Sequence, residues 1–445
     1  MPQRPTNFAI FVFALGQFGW SLAVYSVANL LVYFYLPPEE EGEVIFQQFI
    51  SQESIVLGLT LIGLITFGGR ILDAFIDPLI AGFSDRRKSG IGKRKSLMAI
   101  SAVPFGLLSV LVFYPLSYSS ISTNAIFLIG MIACFYFFYT LYVIPYNALI
   151  SELGHHPDDR LKISTAISVT FALGLILGSQ VYLFQAMLES TYSSVVAFQI
   201  VLAAFALLSI VLMIMPVLFL DENMFAKQEE QTIDTWKSLQ VVFKDKNFRY
   251  FLLSDAFYWL ALTFIQLGTI YFVTILFQYE KEDASTFLMF SFLFSIALYI
   301  VVYKLTPVVG KKSLMVTGFI IFALAFLLVY FIPVLPISLD IMYYVVIVLA
   351  AFPLAVFGIL PNVIISDAIN HREKQTGESQ AGMYFGVRNF LSKVGISMAN
   401  LIFPSLLLFG FTADNNFGVR LCGLTAFAFC IIGLLFFLKY RDLET

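Results

Sequence analysis

Asp73 and Asp77 stand four residues apart in an apolar stretch, Ile55 to Phe83, that is long enough to cross a membrane. Residues i and i+4 share one helix face, so both carboxylates point the same way inside a low-dielectric slab. A charged side chain there costs about 3 kcal/mol on insertion scales and more on others, and two like charges side by side cost more still. A basic side chain, a proton or a bound metal cation has to neutralise them. Arg70 extends the stripe at i, i+3 and i+7, and Pro78 follows the second aspartate. Proline lacks an N–H, and its ring displaces the carbonyl four residues back, here that of Ala74. That places a freed oxygen between two carboxylates, the donor type a hard cation takes. The alternative is a buried ion pair, Arg70 with either aspartate, that only fixes helix packing.

The other charges in apolar surroundings are Asp255, Arg388 and Lys393, which with Arg70, Asp73 and Asp77 make three of each sign. Arg388 and Lys393 are five residues apart, a rotation of about 140° on a helix. One is expected to face the aspartates and the other to serve a gate. The three histidines, His155, His156 and His371, are expected in loops, and the three cysteines fall in apolar runs with no metal spacing. Neither a phosphate-binding glycine loop nor a nucleophile elbow is present. ATP-driven transport, enzymatic chemistry and an organic cofactor therefore have no support, and the ion sought is a coupling ion, Na⁺ or H⁺.

The elements that must hold these residues are transmembrane helices. The 445 residues are 59% hydrophobic and 12% charged, against about 25% charged in a soluble protein. A net charge of −3 gives no reason to expect nucleic acid; the partners expected are the lipid bilayer and a small molecule, with the chain monomeric. A span needs about 20 apolar residues, and twelve such runs occur, at 8–36, 54–83, 97–116, 124–150, 162–187, 195–220, 250–278, 284–306, 313–333, 341–368, 378–409 and 417–439. The first is too long for a signal peptide and reads as a retained helix. The longest polar stretch, 221–247, separates a first six-helix half, 1–220, from a second, 248–445. Trp236, Leu239, Val242 and Phe243 recur there at helical spacing beside Lys237, Lys244 and Lys246, which suggests an interfacial helix.

The halves repeat. Gly92-Lys93 and Gly310-Lys311 open the third and ninth spans at an offset of 218, and Ile150-Ser151-Glu152 and Ile365-Ser366-Asp367 close the fourth and tenth at 215. Parallel six-helix repeats are the arrangement of major-facilitator transporters, so the expected fold is an all-α membrane protein of that type. Lys and Arg crowd alternate loops, with six between Arg86 and Lys95, while 37–53 has five Glu and no basic residue. By the positive-inside rule both termini are cytoplasmic. Asp85, Arg86, Arg94, Glu152, Asp367 and Arg372 then sit at the cytoplasmic mouth, where they would cross-link helix ends as a gate, or only set topology.

Arg70-x-x-Asp73-Ala74-x-x-Asp77-Pro78, followed by Ser84-Asp85-Arg86 and Gly92-Lys93-Arg94, resembles the glycoside–pentoside–hexuronide:cation symporter family typified by melibiose permeases. Pro145-Tyr146-Asn147-Ala148-Leu149 and Lys393-x-Gly395 extend the resemblance over nearly the whole chain. It implies a cation site at Asp73 and Asp77 with Thr140 as a hydroxyl ligand, and Lys393 against that site. A polar residue often found before the second aspartate is Ile76 here, which leaves Na⁺ and H⁺ both open. The aspartates and arginine that grip galactosides in the family correspond to Ser21, Val143 and Val169. The expected substrate is then another glycoside, sugar or sugar acid, read by Trp20, Ser21, Tyr25, Tyr142, Tyr146 and Asn147, or an amphiphile such as a lysophospholipid. The reading is a cation-coupled symporter of a bacterial inner membrane. A non-transporting receptor or scaffold of this shape would have no use for a midplane aspartate pair.

Overall fold

Each apolar run becomes a helix whose ends are set by local chemistry. The computed structural model describes residues 4–442 apart from 41–42, 45, 57, 87–90, 118–119, 154–156, 221–244 and 377–380. The region expected to form an interfacial helix lies mostly outside the described residues, as do His155 and His156. In chain order the helices are α1 (Asn7–Tyr35), α2 (Leu61–Arg86), α3 (Lys93–Leu111), α4 (Ile121–Leu153), α5 (Pro157–Ser179), α6 (Val181–Glu189) and α7 (Ser194–Phe219). Then follow α8 (Lys246–Tyr271), lengthened by a π-helical turn over Phe272–Leu276, α9 (Lys281–Val309), α10 (Lys311–Phe331), α11 (Leu339–Thr376), α12 (Ala381–Leu407) and α13 (Phe417–Leu438). Thr6 and Asp245 cap α1 and α8, their side chains accepting backbone N–H bonds of the first turn.

Eleven membrane-length apolar segments are found among the described residues, α5 and α6 together forming one. The twelfth is α2, long enough to span but crossed by Arg70, Asp73 and Asp77. Apolar side chains stand on the outer faces, Ile126 at 73% exposure and Val308 at 81%, as lipid contact requires. The chain is a multi-pass membrane protein.

Two span boundaries differ from the sequence reading, and two short hairpins are added. The second span does not begin at residue 54: Ser54–Val56 (β3) and Leu59–Thr60 (β4) form a small antiparallel hairpin through Gly58, whose φ is 79°, and the helix starts at Leu61. A second hairpin pairs Glu39–Glu40 (β1) with Glu43–Val44 (β2). The tenth span runs on to Thr376, so His371 and Arg372 lie on a helix rather than in a loop.

Contacts divide the chain into two units, one of residues 1–37, 46–52 and 68–231, the other of 38–45, 53–67 and 232–445. The division read from sequence placed 38–45 and 53–67 in the first half. In the structure 53–67 is tied to the second unit by the Thr60 N–H, which donates to Ser405 Oγ at 3.3 Å, and by Thr66 Oγ1, which donates to the Asn400 carbonyl at 3.4 Å, while β1 of 38–45 packs on the Phe272–Leu276 turn.

Inside the first unit α1 packs on α5 and α7, and α3 on α4 and α7. The second unit uses the corresponding helices: α8 packs on α12 and α13, and α10 on α11 and α13. The backbone repeats as well. Gly92 and Gly310 precede α3 and α10 with φ of 107° and 85° and ψ of 144° and 148°, positive-φ conformations that glycine adopts without a Cβ penalty. In the second unit the lysine and acid of the repeated motifs are partners: Lys311 and Asp367 form an ion pair at 2.5 Å.

Candidate functional site

On α2 the i, i+3, i+7 stripe holds the three charges on one side. Asp73 is fully buried and Arg70 is 6% exposed, with 3.7 Å between their nearest charged atoms. The guanidinium also lies over the Tyr136 ring of α4, 5.1 Å from its centroid, so α4 supplies a π face to a cation held in low dielectric. Thr140, one turn further along α4, donates its hydroxyl to Asp73 Oδ1 at 2.7 Å and reaches Asp77 Oδ1 at 3.4 Å. Gly69 makes this approach feasible, since a Cβ there would collide with Ile132 and Tyr136 of α4. Pro78 lies within α2 directly after Asp77. Three oxygens from two helices therefore converge, two of them carboxylate. Oxygen donors of this kind are the type a hard cation takes; no group of three His, Cys, Asp or Glu suited to a metal is present among the described residues.

The second unit carries its own buried charge pair. Arg388 on α12 donates Nε to Asp255 Oδ2 at 2.9 Å and Nη2 to Oδ1 at 3.2 Å, a bidentate pair. Its Nη1 donates to Asn362 Oδ1 of α11 at 3.0 Å, and Ser392 Oγ reaches Asp255 at 3.4 Å. Asp255 is 1% exposed. The sequence left open which of Arg388 and Lys393 would face the aspartates of α2. Arg388 has Asp255 as its counter-ion, within its own unit.

The sequence profile described as MFS/sugar transport protein matches residues 12–440. This chain belongs to that family. It is a major-facilitator transporter of the sugar-symporter type, not an enzyme. Among curated proteins it is 22% identical over 412 residues to the uncharacterized symporter YnaJ of Bacillus subtilis, covering 91% of this chain and 83% of that one. Among solved structures, a D-xylose–proton symporter superposes with a TM-score of 0.71 at 14% identity, covering 98% and 97% of the two chains. A nucleoside transporter, NupG carrying a D323A substitution, gives 0.69 at 13%, covering 98% and 99%. At such identities the two structures show the shared fold.

In this transporter several residues expected to read substrate are consumed by helix packing. Tyr142 donates its hydroxyl to the Met213 carbonyl at 2.9 Å and Tyr146 to that of Phe13 at 2.7 Å, both rings 0% exposed. Tyr146 also stacks on Phe13 at 4.3 Å. Ser21 donates to the Phe18 carbonyl, and it and Tyr25 fill the seam between α1 and α5 where Gly174 and Gly178 leave no room for a Cβ. That is the small-xxx-small packing of membrane helices. The hydroxyls of Ser21, Tyr142 and Tyr146 are spent on backbone carbonyls, a fate their own helix faces could not reveal. Asn147 is exposed.

Trp20 keeps a different status. Its ring meets Tyr139 and Phe171, and its Nε1 is buried with no hydrogen-bond partner among the described residues. Trp259 on α8, one turn beyond Asp255, is in the same condition. The sequence reading passed over Trp259, yet a signal was there. Trp20 lies thirteen residues after Asn7 at the start of α1, and Trp259 thirteen after Lys246 at the start of α8. They occupy the same place in the first helix of each repeat.

Of the expected gate residues, Arg94 is buried and donates Nη1 to Ser84 Oγ at 2.7 Å. Asp367 pairs with Lys311 of its own unit. Arg372 is half-buried in the last turns of α11. The side chains of Asp85, Arg86 and Glu152 lie outside the described residues.

Proposed function

We propose that this transporter is a symporter coupling Na⁺ or H⁺ entry to uptake of a glycoside, sugar or sugar acid across a bacterial inner membrane, with both termini cytoplasmic. The observation that carries the reading is Thr140 Oγ1 within 2.7 and 3.4 Å of one oxygen of each aspartate. A cation entering there relieves the repulsion between Asp73 and Asp77 and fixes α2 against α4. Substrate then binds the ordered protein more tightly, and linkage requires it to tighten the cation by the same factor. Transport follows by alternating access of the two parallel six-helix repeats. YnaJ, described as a symporter, supports the coupling by similarity.

For substrate we propose that the indole N–H of Trp20, and independently that of Trp259, donates to a hydroxyl or carboxylate oxygen, since a buried indole N–H without a partner is costly unless a ligand satisfies it. Asn147 is the third candidate contact. An amphiphile such as a lysophospholipid is the second reading, favoured by the engagement of Ser21, Tyr142 and Tyr146 in packing, which leaves few polar groups to clasp a sugar. Proteoliposome uptake of a panel of glycosides, sugar acids and lysolipids, with Na⁺ and pH gradients imposed separately, tests both. Accumulation that follows neither gradient overturns the symport reading. Accumulation of lysolipid alone selects the second substrate class.

A further inference from the structure

The ends of three helices of the second unit meet around a cavity of about 650 Å³ lined by Lys246 and Asn247 at the start of α8, Lys312 at the start of α10, and Leu438, Lys439 and Arg441 at and beyond the end of α13. Its described lining has four cations and no carboxylate. The arrangement is built rather than incidental. Lys312 donates to the carbonyls of Leu438 and Tyr440 at 3.1 and 2.6 Å, which caps the negative end of α13. Asn247 and Arg441 exchange two hydrogen bonds, Asn247 Nδ2 to the Arg441 carbonyl at 2.9 Å and the Arg441 N–H to Asn247 Oδ1 at 2.7 Å, so the segment after α13 is pinned onto α8. Lys439 lies over the Tyr250 ring, 5.8 Å from its centroid. Asp245, the nearest carboxylate in the chain to Lys246, is occupied as the cap of α8.

Four cations around one cavity whose described lining holds no carboxylate favour an anion there. The cavity stands where three membrane segments end, at Lys246, Lys311 and Leu438, which is the level of lipid headgroups. The cavity takes in the first turns of α8 and α10; at α8 the N–H groups of Asn247 and Phe248 are already taken by Asp245, so the four cations carry the attraction for phosphate. A tyrosine and snorkelling lysines are the side chains that sit with one end in hydrocarbon and the other among headgroups. We infer that this cavity is a binding site for the phosphate group of an anionic phospholipid, seated at the ends of α8, α10 and α13. Bound there, the lipid ties the three helix ends of the second unit together by charge. The site is independent of substrate and coupling ion.

The test is native mass spectrometry of the full-length protein released from detergent with added phosphatidylglycerol, phosphatidylcholine or inorganic phosphate. Phosphatidylglycerol adducts are expected to exceed phosphatidylcholine adducts. Removal of juxtamembrane cations by Lys246→Gln and Arg441→Gln should weaken the preference about fivefold each, and Lys246→Arg should retain it. Displacement of the lipid by millimolar phosphate supports the phosphate chemistry and identifies a site open to soluble anions as well. Equal occupancy by the two lipids, or phosphatidylglycerol adducts unchanged in the double Gln variant, overturns the inference. Circular dichroism of the variants, expected to be unchanged, shows that any loss is not unfolding.

Discussion

The two units each bury an arginine–aspartate pair, and the pairs are built differently. In the second, Arg388 grips Asp255 through two bonds at 2.9 and 3.2 Å and spends a further N–H on Asn362. One cation meets one anion in matched geometry. In the first, Arg70 stands 3.7 Å from Asp73, its flat face on Tyr136, and a second carboxylate, Asp77, shares the Thr140 hydroxyl with the first. Here two carboxylates and one arginine stand on a single helix. A tight bidentate pair resists exchange of partners, whereas a loose one next to a second acid permits a mobile cation to compete. The fold is repeated, but the charge chemistry is not, and that asymmetry suits a division between a coupling site and a structural clamp.

The largest expected effect breaks that comparison at the aspartate stripe of α2. Asp73→Asn or Asp77→Asn, nearly isosteric, should abolish cation-driven accumulation in proteoliposomes while the protein still folds and is purified as a monodisperse species. Concentrative uptake by both variants would remove the distinction between the two pairs. Next comes the clamp. Asp255→Asn leaves Arg388 buried without its counter-ion and should cost about 3–5 kcal/mol in stability, read from thermal unfolding in detergent. Replacing both partners with apolar residues of similar size should recover much of that loss. The pair is a clamp only if the single substitution lowers stability more than either substitution on α2.

A smaller effect concerns the substrate donors. Loss of one net hydrogen bond is about 0.5–1.5 kcal/mol, so Trp20→Phe and Trp259→Phe should each weaken binding of a transported sugar about two- to tenfold. Tyr146→Phe should leave affinity unchanged and lower stability instead, because its hydroxyl serves the Phe13 carbonyl. Reversal of that pattern in measured affinities would return the tyrosines to the substrate side. The smallest effect tests the repeat itself. Gly92→Ala and Gly310→Ala force a Cβ into positive φ and should cost about 1–2 kcal/mol each, in equal measure because the two turns share one backbone conformation. Unequal costs measured by thermal unfolding would show that the repeats have diverged at these turns.

Much of this was legible beforehand because membranes simplify the reading. Helices are the way an apolar chain satisfies its own backbone in lipid, so run length alone located eleven of the segments, and α2 was found despite its charges. The Arg70, Asp73, Asp77 stripe needed only the period of one helix. The hairpin at Ser54–Thr60 was hidden because its apolar residues, Ile55, Val56 and Leu59, continue the run into Leu61 without a break in hydropathy. The fate of the tyrosines was hidden for another reason. Helical period says that Tyr142 and Tyr146 share a face, but not that α1 and α7 cover it.

The sequence by itself determined the spans, the internal repeat and the aspartate stripe, because each depends on neighbours along the chain and on a fixed helical period. Tertiary structure decided the pairings. Asp255 and Arg388 are separated by 133 positions, Asp73 and Thr140 by 67, and Lys311 and Asp367 by 56. Which charge meets which depends on how helices rotate about their axes and slide against one another, and that is settled by packing of glycines and aromatic rings at seams no single helix displays.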